Sequence, residues 1–368
     1  MARLSGPPTP LRRGPTLVAG GSSPGRPTIE QVAERAGVSV ATVSRALRGL
    51  PNVAPTTRAR VATTAREMGY RADPLAARLA SGRSRTIGVV VPMINSWYFA
   101  SIVAGIEAVC AEDGYDLLIV CRPTPEQTSR TAMASLERRV DGLVFVEVPL
   151  RTEDVAMLAA SGVAVVTVGQ RLGPFSSVIV DNGGIGRMAA DHLLDLGHRR
   201  IGVIGAQSEL PAAFDVPRQR IDGVHDAMRA RNIDLDPALI EMGEFTVEGG
   251  AAAGERLLRS VRPPTAIVAL SDEMAFGAVA VARELGLSVP ADVSVIGVDD
   301  HDAAAAVGLT TIRQNVGRQG ALAARALLSG LADGSHVPAR LSDDVELIVR
   351  ETTARNHHDP ALTRPTLL

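Results

Sequence analysis

Two stretches of the 368-residue chain carry residue types whose spacing can do chemistry. The first is Ser39-Val40-Ala41-Thr42-Val43-Ser44-Arg45. Ser39 is suited to cap a helix opening at Val40, and Val43 and Leu47 give that helix an inward face. Val40 and Ala41 then lie on the outer side, with Arg45 one turn later. A small apolar group meets the methyl of thymine and an Arg pairs bidentately with guanine, at about 1–3 kcal/mol of base discrimination. The second stretch is Asn95-Ser96-Trp97-Tyr98-Phe99, which follows the apolar run Ile87–Val91 and holds the only Trp of the chain. Aromatic faces at the carboxyl end of a strand, where open sheets bind ligands, suit stacking on a small molecule. No nucleophile–base or acidic pair stands at informative spacing, so an enzyme is not expected. Gly183-Gly184-Ile185-Gly186 lacks the final Gly of a dinucleotide fingerprint, and His357-His358 lies in a Pro-containing tail. Neither a cofactor nor a metal is expected.

The elements that hold these residues follow from composition and periodicity. Hydrophobic residues make up 46% and charged residues 21%, the balance of a folded globular chain rather than a disordered or fibrous one. Every apolar stretch is interrupted well short of the ~18 residues of a membrane span, so no membrane partner is expected. Cys110 and Cys121 are the only cysteines. Two thiols exclude a disulfide framework or a four-cysteine zinc site, suit a reducing cytosol, and are expected to be small buried side chains. The formal net charge of −2 divides unevenly: residues 1–85 hold fourteen Arg and four acids, a net of +10, and the remainder is −12. A basic head on an acidic body points to a polyanion-binding segment joined to one with another task.

Residues 1–27 hold six Pro, five Gly and four Arg without an acid, and are expected to form a disordered basic arm. Thr28 and Gln31 have the spacing of a capping box. Gly37 ends the first helix, Ser39 starts the second, and Pro55 opens a third that runs to Met68. Two short helices joined by a Gly-containing turn make a helix-turn-helix, so residues 28–72 are expected to be a small all-α head. Residues 73–85 hold one or two potential helical turns that fold only against a partner. From Ile87 the period changes. Apolar strands are expected at Ile87–Val91, Asp116–Val120, Gly142–Val146, Ala164–Val168, Ile201–Ile204, Ala266–Leu270 and Val293–Val298, alternating with amphipathic helices. Such alternation implies parallel sheets with helices on both faces. Residues 86–355 exceed one ordinary sheet domain and are expected to make two lobes, with crossovers near 181, 312 and 342. Gly197–Arg200 and Thr310–Gln314 read as punctuation between lobes, and 356–368 as a flexible tail.

The run Thr28–Leu47, TIEQVAERAGVSVATVSRAL, resembles the head of lactose-repressor-family (LacI/GalR) transcription regulators. Gly69-Tyr70, Leu75-Ala76-Ala77-Arg78-Leu79, Leu196-Gly197-His198-Arg199-Arg200-Ile201, Ser271-Asp272-Glu273-Met274-Ala275 and Val293–Asp300 continue the likeness, which covers roughly residues 28–355. The resemblance implies a periplasmic-binding-protein-like, two-lobed body. It implies double-stranded DNA with a near-palindromic operator, a sugar effector and a second copy of the chain as partners, all in the cytoplasm.

By resemblance Val40, Ala41 and Arg45 read bases, Ser39, Thr42, Ser44 and Tyr70 sit at the DNA backbone, and Ala76 and Leu79 belong to a hinge helix whose Leu wedges into the minor groove. Trp97, Tyr98, Arg220, Ser271, Asp299 and Gln314 are the implied effector contacts. The sequence departs from the family at Ala54, usually a Ser cap, at Ser271, often Asn, and at Gly169, often Asp or another polar residue. The implied function is a repressor whose operator affinity is changed by the effector. The alternatives are an effector-activated or corepressor-dependent regulator of the same fold, or a sugar-binding transport receptor. No leucine heptad follows Glu351, which argues against a coiled-coil tetramer.

Overall fold

A computed structural model describes residues 27–47, 49, 51–70, 83–122, 130–148, 150–206, 216–334 and 339–356. The expected arm, the hinge positions Ala76 and Leu79, and most of the tail lie outside the described residues. The chain divides into two compact units, Met1–Gly82 and Arg83–Leu368.

In the first unit three helices pack together: α1 (Ile29–Ala36), α2 (Val40–Leu47) and α3 (Pro55–Glu67). The Thr28 hydroxyl accepts from Gln31 N, and Thr28 N donates to Gln31 Oε1 at 3.0 Å, so the start of α1 is satisfied from both sides. Gly37 takes the left-handed conformation that ends this helix, at φ 62°. Ser39 Oγ accepts from Thr42 N at 3.1 Å and starts α2. Val32, Val43 and Val61, each at 0% exposure, form the centre of the head. Burial of each is worth about 1.5–3 kcal/mol, enough to lock three short helices that would not persist alone. At α3, Ala54 occupies the cap position without a side-chain hydrogen bond, and Pro55 supplies the fixed backbone of the first turn.

The second unit is an α/β body of two six-stranded sheets, in agreement with the expected fold class. The first lobe begins with β1 (Thr86–Val91), α4 (Trp97–Glu112), β2 (Asp116–Cys121), α5 (Arg130–Glu137), β3 (Gly142–Val146), α6 (Thr152–Ser161), β4 (Ala164–Val168) and β5 (Ser176–Ile179). The second contains α7 (Asn182–Asp195), β6 (Ile201–Gly205), α8 (Val216–Ala230), β7 (Ile240–Met242), α9 (Val247–Leu258), β8 (Ala266–Ala269), α10 (Asp272–Glu284), β9 (Ser294–Asp299), α11 (Ala304–Val307) and β10 (Thr310–Arg313). The chain then returns through α12 (Val316–Asp333) and β11 (Arg340–Ser342) to the first lobe, and ends with β12 (Glu346–Ile348) in the second.

The strand orders are β2-β1-β3-β4-β5-β11 and β7-β6-β8-β9-β10-β12. All pairings are parallel except β10 with β12. Strands β3, β4, β6, β8 and β9 are buried along their whole length, which is why they occur in the sequence as uninterrupted apolar runs. In each sheet the connections reverse direction between the first and third strands, at β1/β3 and β6/β8. Such switch points open a crevice beyond the carboxyl ends of the strands.

The structure departs from the sequence reading where polarity masked a strand. Thr310–Arg313 is a strand with Thr310 and Thr311 wholly buried, not merely a connection. These hydroxyls are tolerated because each has a partner: Thr311 Oγ1 donates to Asp272 Oδ1 at 2.6 Å, and Thr310 Oγ1 lies 3.0 Å from Thr353 Oγ1. Cys110 is buried as expected, but Cys121 is exposed because it ends the edge strand β2.

The segment after β12 is tied to the second lobe by His198, which is 2% exposed. Its Nε2 donates to the carbonyl of Ala354 at 3.0 Å, so in the neutral ring Nδ1 accepts from Thr265 Oγ1, also at 3.0 Å. Burial holds the His198 pKa below its ordinary value; the bond to Ala354 opposes this, and His192 and Arg199 add to it. The unfolded chain therefore takes up a proton near pH ~6.5 that the folded protein resists, and stability falls as pH drops below that value. The thermal midpoint of the full chain is expected to fall between pH 7.5 and 5.5, and His198→Gln to reduce that fall; an equal fall in both proteins would exclude His198 as its origin. In the head, Ala54→Ser is expected to add about 1 kcal/mol of capping energy, seen as roughly fivefold slower amide exchange in the first turn of α3.

Candidate ligand cleft and nucleic-acid interface

On the head, α2 presents one face outward. Val40 is 40% exposed and Ala41 and Arg45 are exposed, whereas Val43 and Ala46 are buried. Thr42 and Ser44 flank this face and are half-buried, and the Ser39 hydroxyl also lies 2.9 Å from Thr42 Oγ1. Tyr70 is half-buried against the core of the head. An exposed valine and alanine at the start of a helix, followed by an arginine one turn on, present methyl groups and a two-pronged donor to whatever meets that face.

In the body, a cavity of about 520 Å³ opens at the carboxyl ends of both sheets. From the first lobe its walls are Pro92, Met93, Asn95, Ser96, Tyr98 and Phe99 after β1, and Glu147 after β3. From the second they are Ala206, Val216, Pro217 and Arg220, the segment Glu244–Glu248, and Ser271, Glu273 and Asp299. The walls thus come from the two switch points and the strands beside them. A second hollow of about 650 Å³ beside α6 and α12 has, among the described residues, Arg325 as its only charged lining residue. It lacks the convergent polar groups of a ligand site.

Arg220 projects from α8 and is 4% exposed, so it is not a surface ion-pairing group. Its Nε donates to Asn182 Oδ1 at 3.0 Å and its Nη1 to the carbonyl of Leu270 at 2.6 Å. This placement needs α7 and α8 nearly in backbone contact. A Cβ on Gly186 would stand 2.0 Å from the carbonyl oxygen of Arg220, and one on Gly223 2.1 Å from that of Gly183. Gly183-Gly184-Ile185-Gly186 is therefore a helix-crossing surface.

Asp299 ends β9 at φ 127°, a strained backbone for a residue with a side chain. Its Oδ1 accepts from Gln314 Nε2 at 2.5 Å. Burial pushes the Asp299 carboxyl up to about 7; Arg220 and Gln314 pull it down, while Glu273 and Glu147 push it further up. Ser271 Oγ caps α10 by accepting from Met274 N at 3.3 Å. Tyr98 reaches the cavity and donates its hydroxyl to Glu147 Oε1 at 2.9 Å. Burial raises the Tyr98 hydroxyl well above its ordinary range, and the neighbouring Glu147 raises it further.

Two expected effector contacts do not line the cavity. Successive residues of a helix point about 100° apart, so Tyr98 faces inward and Trp97 does not. Trp97 bridges the lobes instead: its indole donates to Asp302 Oδ2 at 3.1 Å and lies against the His301 ring at 4.8 Å. Gln314 is fully buried behind Asp299, where it orients that carboxylate. Arg220, Asp299, Ser271 and Tyr98 are brought together. The sequence reading missed Glu147 and Glu273. Burial raises the carboxyl of each; the Tyr98 bond and Arg220 lower that of Glu147, and the Trp97 backbone and His301 lower that of Glu273. The signal for Glu147 was its position as the first residue after the apolar run Gly142–Val146, where an open sheet presents ligand contacts.

Comparison with known proteins agrees with this architecture. The family model described as "Bacterial regulatory proteins, lacI family" matches residues 28–73, and that of a periplasmic binding protein-like domain matches 190–353. The HTH-type transcriptional repressor CytR of Escherichia coli K12 is 36% identical over 337 residues, covering 89% of this chain and 96% of the relative. The HTH-type transcriptional regulator CelR of Thermobifida fusca is 32% identical over 338 residues, covering 89% of this chain and 98% of the relative. Among solved structures, a lac repressor dimer bound to operator and the anti-inducer ONPF superposes with a TM-score of 0.78 at 29% identity, covering 89% of this chain and 99% of the other. A CelR–cellobiose complex superposes with a TM-score of 0.66 at 32% identity, covering 89% of this chain and 100% of the other. With likeness of that extent across the helical head and the two-lobed body, the chain belongs to the LacI family of bacterial regulatory proteins.

Proposed function

We propose that this protein is a DNA-binding transcription repressor of the bacterial cytoplasm whose operator affinity is set by a small sugar held between the two lobes. The observation that carries this reading is the pairing, in one chain, of an exposed Val40/Ala41/Arg45 face on a basic head with a buried, polar cleft built around Arg220 and Asp299. A transport receptor uses such a body but has no use for a helix-turn-helix head. The CelR relative's structure with cellobiose supports a sugar as the effector class.

In this reading two copies of the chain each place α2 in the major groove, so the operator is a near-palindrome. Arg45 reads a guanine, Val40 and Ala41 meet thymine methyls, and Ser39, Thr42, Ser44 and Tyr70 fix the helix on the phosphates. Residues 73–85 form the hinge, with Leu79 as the minor-groove wedge and Ala76 allowing the paired hinge helices to approach. Positive charge in residues 1–85 supplies affinity through counterion release, while the acidic body is repelled by the duplex. The effector alters the lobe-to-lobe contacts, among them the Trp97–Asp302 and Trp97–His301 bridges, and shifts the population of the operator-binding state.

Selection of the full-length dimer against a randomised duplex library is expected to yield a near-palindrome bound with strong salt dependence; salt-insensitive binding, or no enriched symmetric site, would overturn the reading. Arg45→Ala is expected to cost about 1–3 kcal/mol on the selected site and to relax preference at one base pair per half-site. A uniform loss on every sequence would move Arg45 to the phosphates. Arg220→Ala is expected to abolish thermal stabilisation by sugars of a panel including cellobiose and ribose, with ligand-free operator affinity retained. Retained stabilisation would place the effector elsewhere.

A further inference from the structure

The cleft departs from charge balance in a way that bears on what it binds. Five carboxylates line it among the described residues, Glu147, Glu244, Glu248, Glu273 and Asp299, against the single guanidinium of Arg220. That guanidinium already gives two of its nitrogens to Asn182 and Leu270. The carboxylates of the inner wall are only partly spent on the protein, Glu273 Oε1 accepting from Trp97 N at 3.5 Å. Tyr98 takes Oε1 of Glu147 and Gln314 takes Oδ1 of Asp299, while Oε2 of Glu147 and Oδ2 of Asp299 have no hydrogen-bond partner among the described residues. Asp299 is itself only 7% exposed.

Glu147 is there because Gly169 makes room. Gly169 follows β4, next to β3 in the sheet, and has φ 81°. A Cβ at position 169 would stand 2.5 Å from Cγ of Glu147 and 2.7 Å from its Oε1. Glu147 itself sits at φ 48°, a left-handed backbone that a side chain adopts at a cost. The missing side chain at 169 and the strained backbone at 147 together set a carboxylate into the wall where an apolar or neutral residue would avoid the desolvation penalty. Burial holds the carboxyls of Glu147, Glu273 and Asp299 above their ordinary range, so each gains from a donor or cation that replaces the water it has lost.

We propose that the cleft selects a sugar bearing a protonated amine, with the ammonium seated at the open oxygens of Glu147 and Asp299 and Glu273 adding negative charge to the same wall. This rests on the effector-cleft reading above and narrows it. An ammonium supplies both the positive charge and up to three donors for the unpartnered oxygens, while ring hydroxyls suit Arg220 and Ser271 and the sugar's apolar face suits Tyr98 and Phe99. Sugars carrying a phosphate or carboxylate meet repulsion from the same wall.

The test uses the full-length protein and matched sugars that differ only by amine for hydroxyl: glucosamine with glucose, galactosamine with galactose, and fully deacetylated chitobiose with cellobiose. Calorimetric titration at pH 7 is expected to show at least one amine bound tenfold or more tighter than its hydroxyl partner. N-acetylation of that amine and the variants Glu147→Gln and Glu273→Gln are each expected to reduce the preference at least fivefold, provided near-ultraviolet circular dichroism shows the variants folded. Glu147→Gln retains an acceptor for Tyr98, and Glu273→Gln gives an independent reading should it misfold. A hydroxyl sugar that binds through Arg220 as tightly as its amine partner, or an amine preference unchanged in both variants, overturns this inference and leaves the effector cleft standing. Absence of binding by every member of both series overturns the inference; a member of the wider sugar panel that stabilises the wild type but not Arg220→Ala would then preserve the cleft by itself.

Discussion

A guanidinium cannot be taken out of water without partners, and the burial of Arg220 organises the body around that requirement. Its neighbours come from separate places in the chain: Asn182 at the start of α7, the Leu270 carbonyl just beyond β8, and the field of Glu147 and Asp299 across the cavity. To bring α8 close enough, α7 and α8 cross with their backbones touching at Gly183, Gly186 and Gly223. The same close crossing recurs where Gly105 meets Gly317 between α4 and α12, and where Gly250 meets Met274 between α9 and α10. Helices packed so tightly hold the sheets in register, and the carboxyl ends of the strands converge on one crevice.

That crevice is under tension between its own charges. Arg220 lowers the Glu147 and Asp299 carboxyls, but burial outweighs it at both positions. A ligand that supplies donors or positive charge relieves the imbalance, so binding energy is available to draw the lobes together. The bridge from Trp97 to Asp302 and His301, and the contact of Trp97 N with Glu273 at 3.5 Å, lie where such closure would be felt. Glu273 connects the two systems because it lines the cavity and also meets Trp97. The head is built the opposite way: its centre is apolar, and the outward set Val40, Ala41 and Arg45 lies on the one face of α2 that packing leaves free.

Much of this was legible from residue order because local rules act at short range. The Thr28/Gln31 capping box, the Ser39 cap and the outward set Val40, Ala41 and Arg45 depend on neighbours within one helical turn. Strands buried on both faces announce themselves as runs such as Gly142–Val146. Short edge strands such as β7, β11 and β12 have no such run, and β10 carries polar Thr side chains whose partners lie 39 and 43 residues away. Their hydrogen bonds come from distant segments, which no local pattern reveals.

The sequence by itself determined the architecture and the presence of a basic head on an acidic body, whereas Arg220 and Asp299 entered as cleft groups only through the family resemblance. Period, capping and charge are properties of the chain before it folds. Only the tertiary structure decided which aromatic faces the cavity: a helix turns Tyr98 inward and Trp97 toward the other lobe. It also withdrew Gln314 to a supporting position behind Asp299, and it brought Glu147 into the space over Gly169. These outcomes rest on distances between residues far apart in the chain, set by how closely sheets and helices pack, and a linear pattern carries no measure of that closeness.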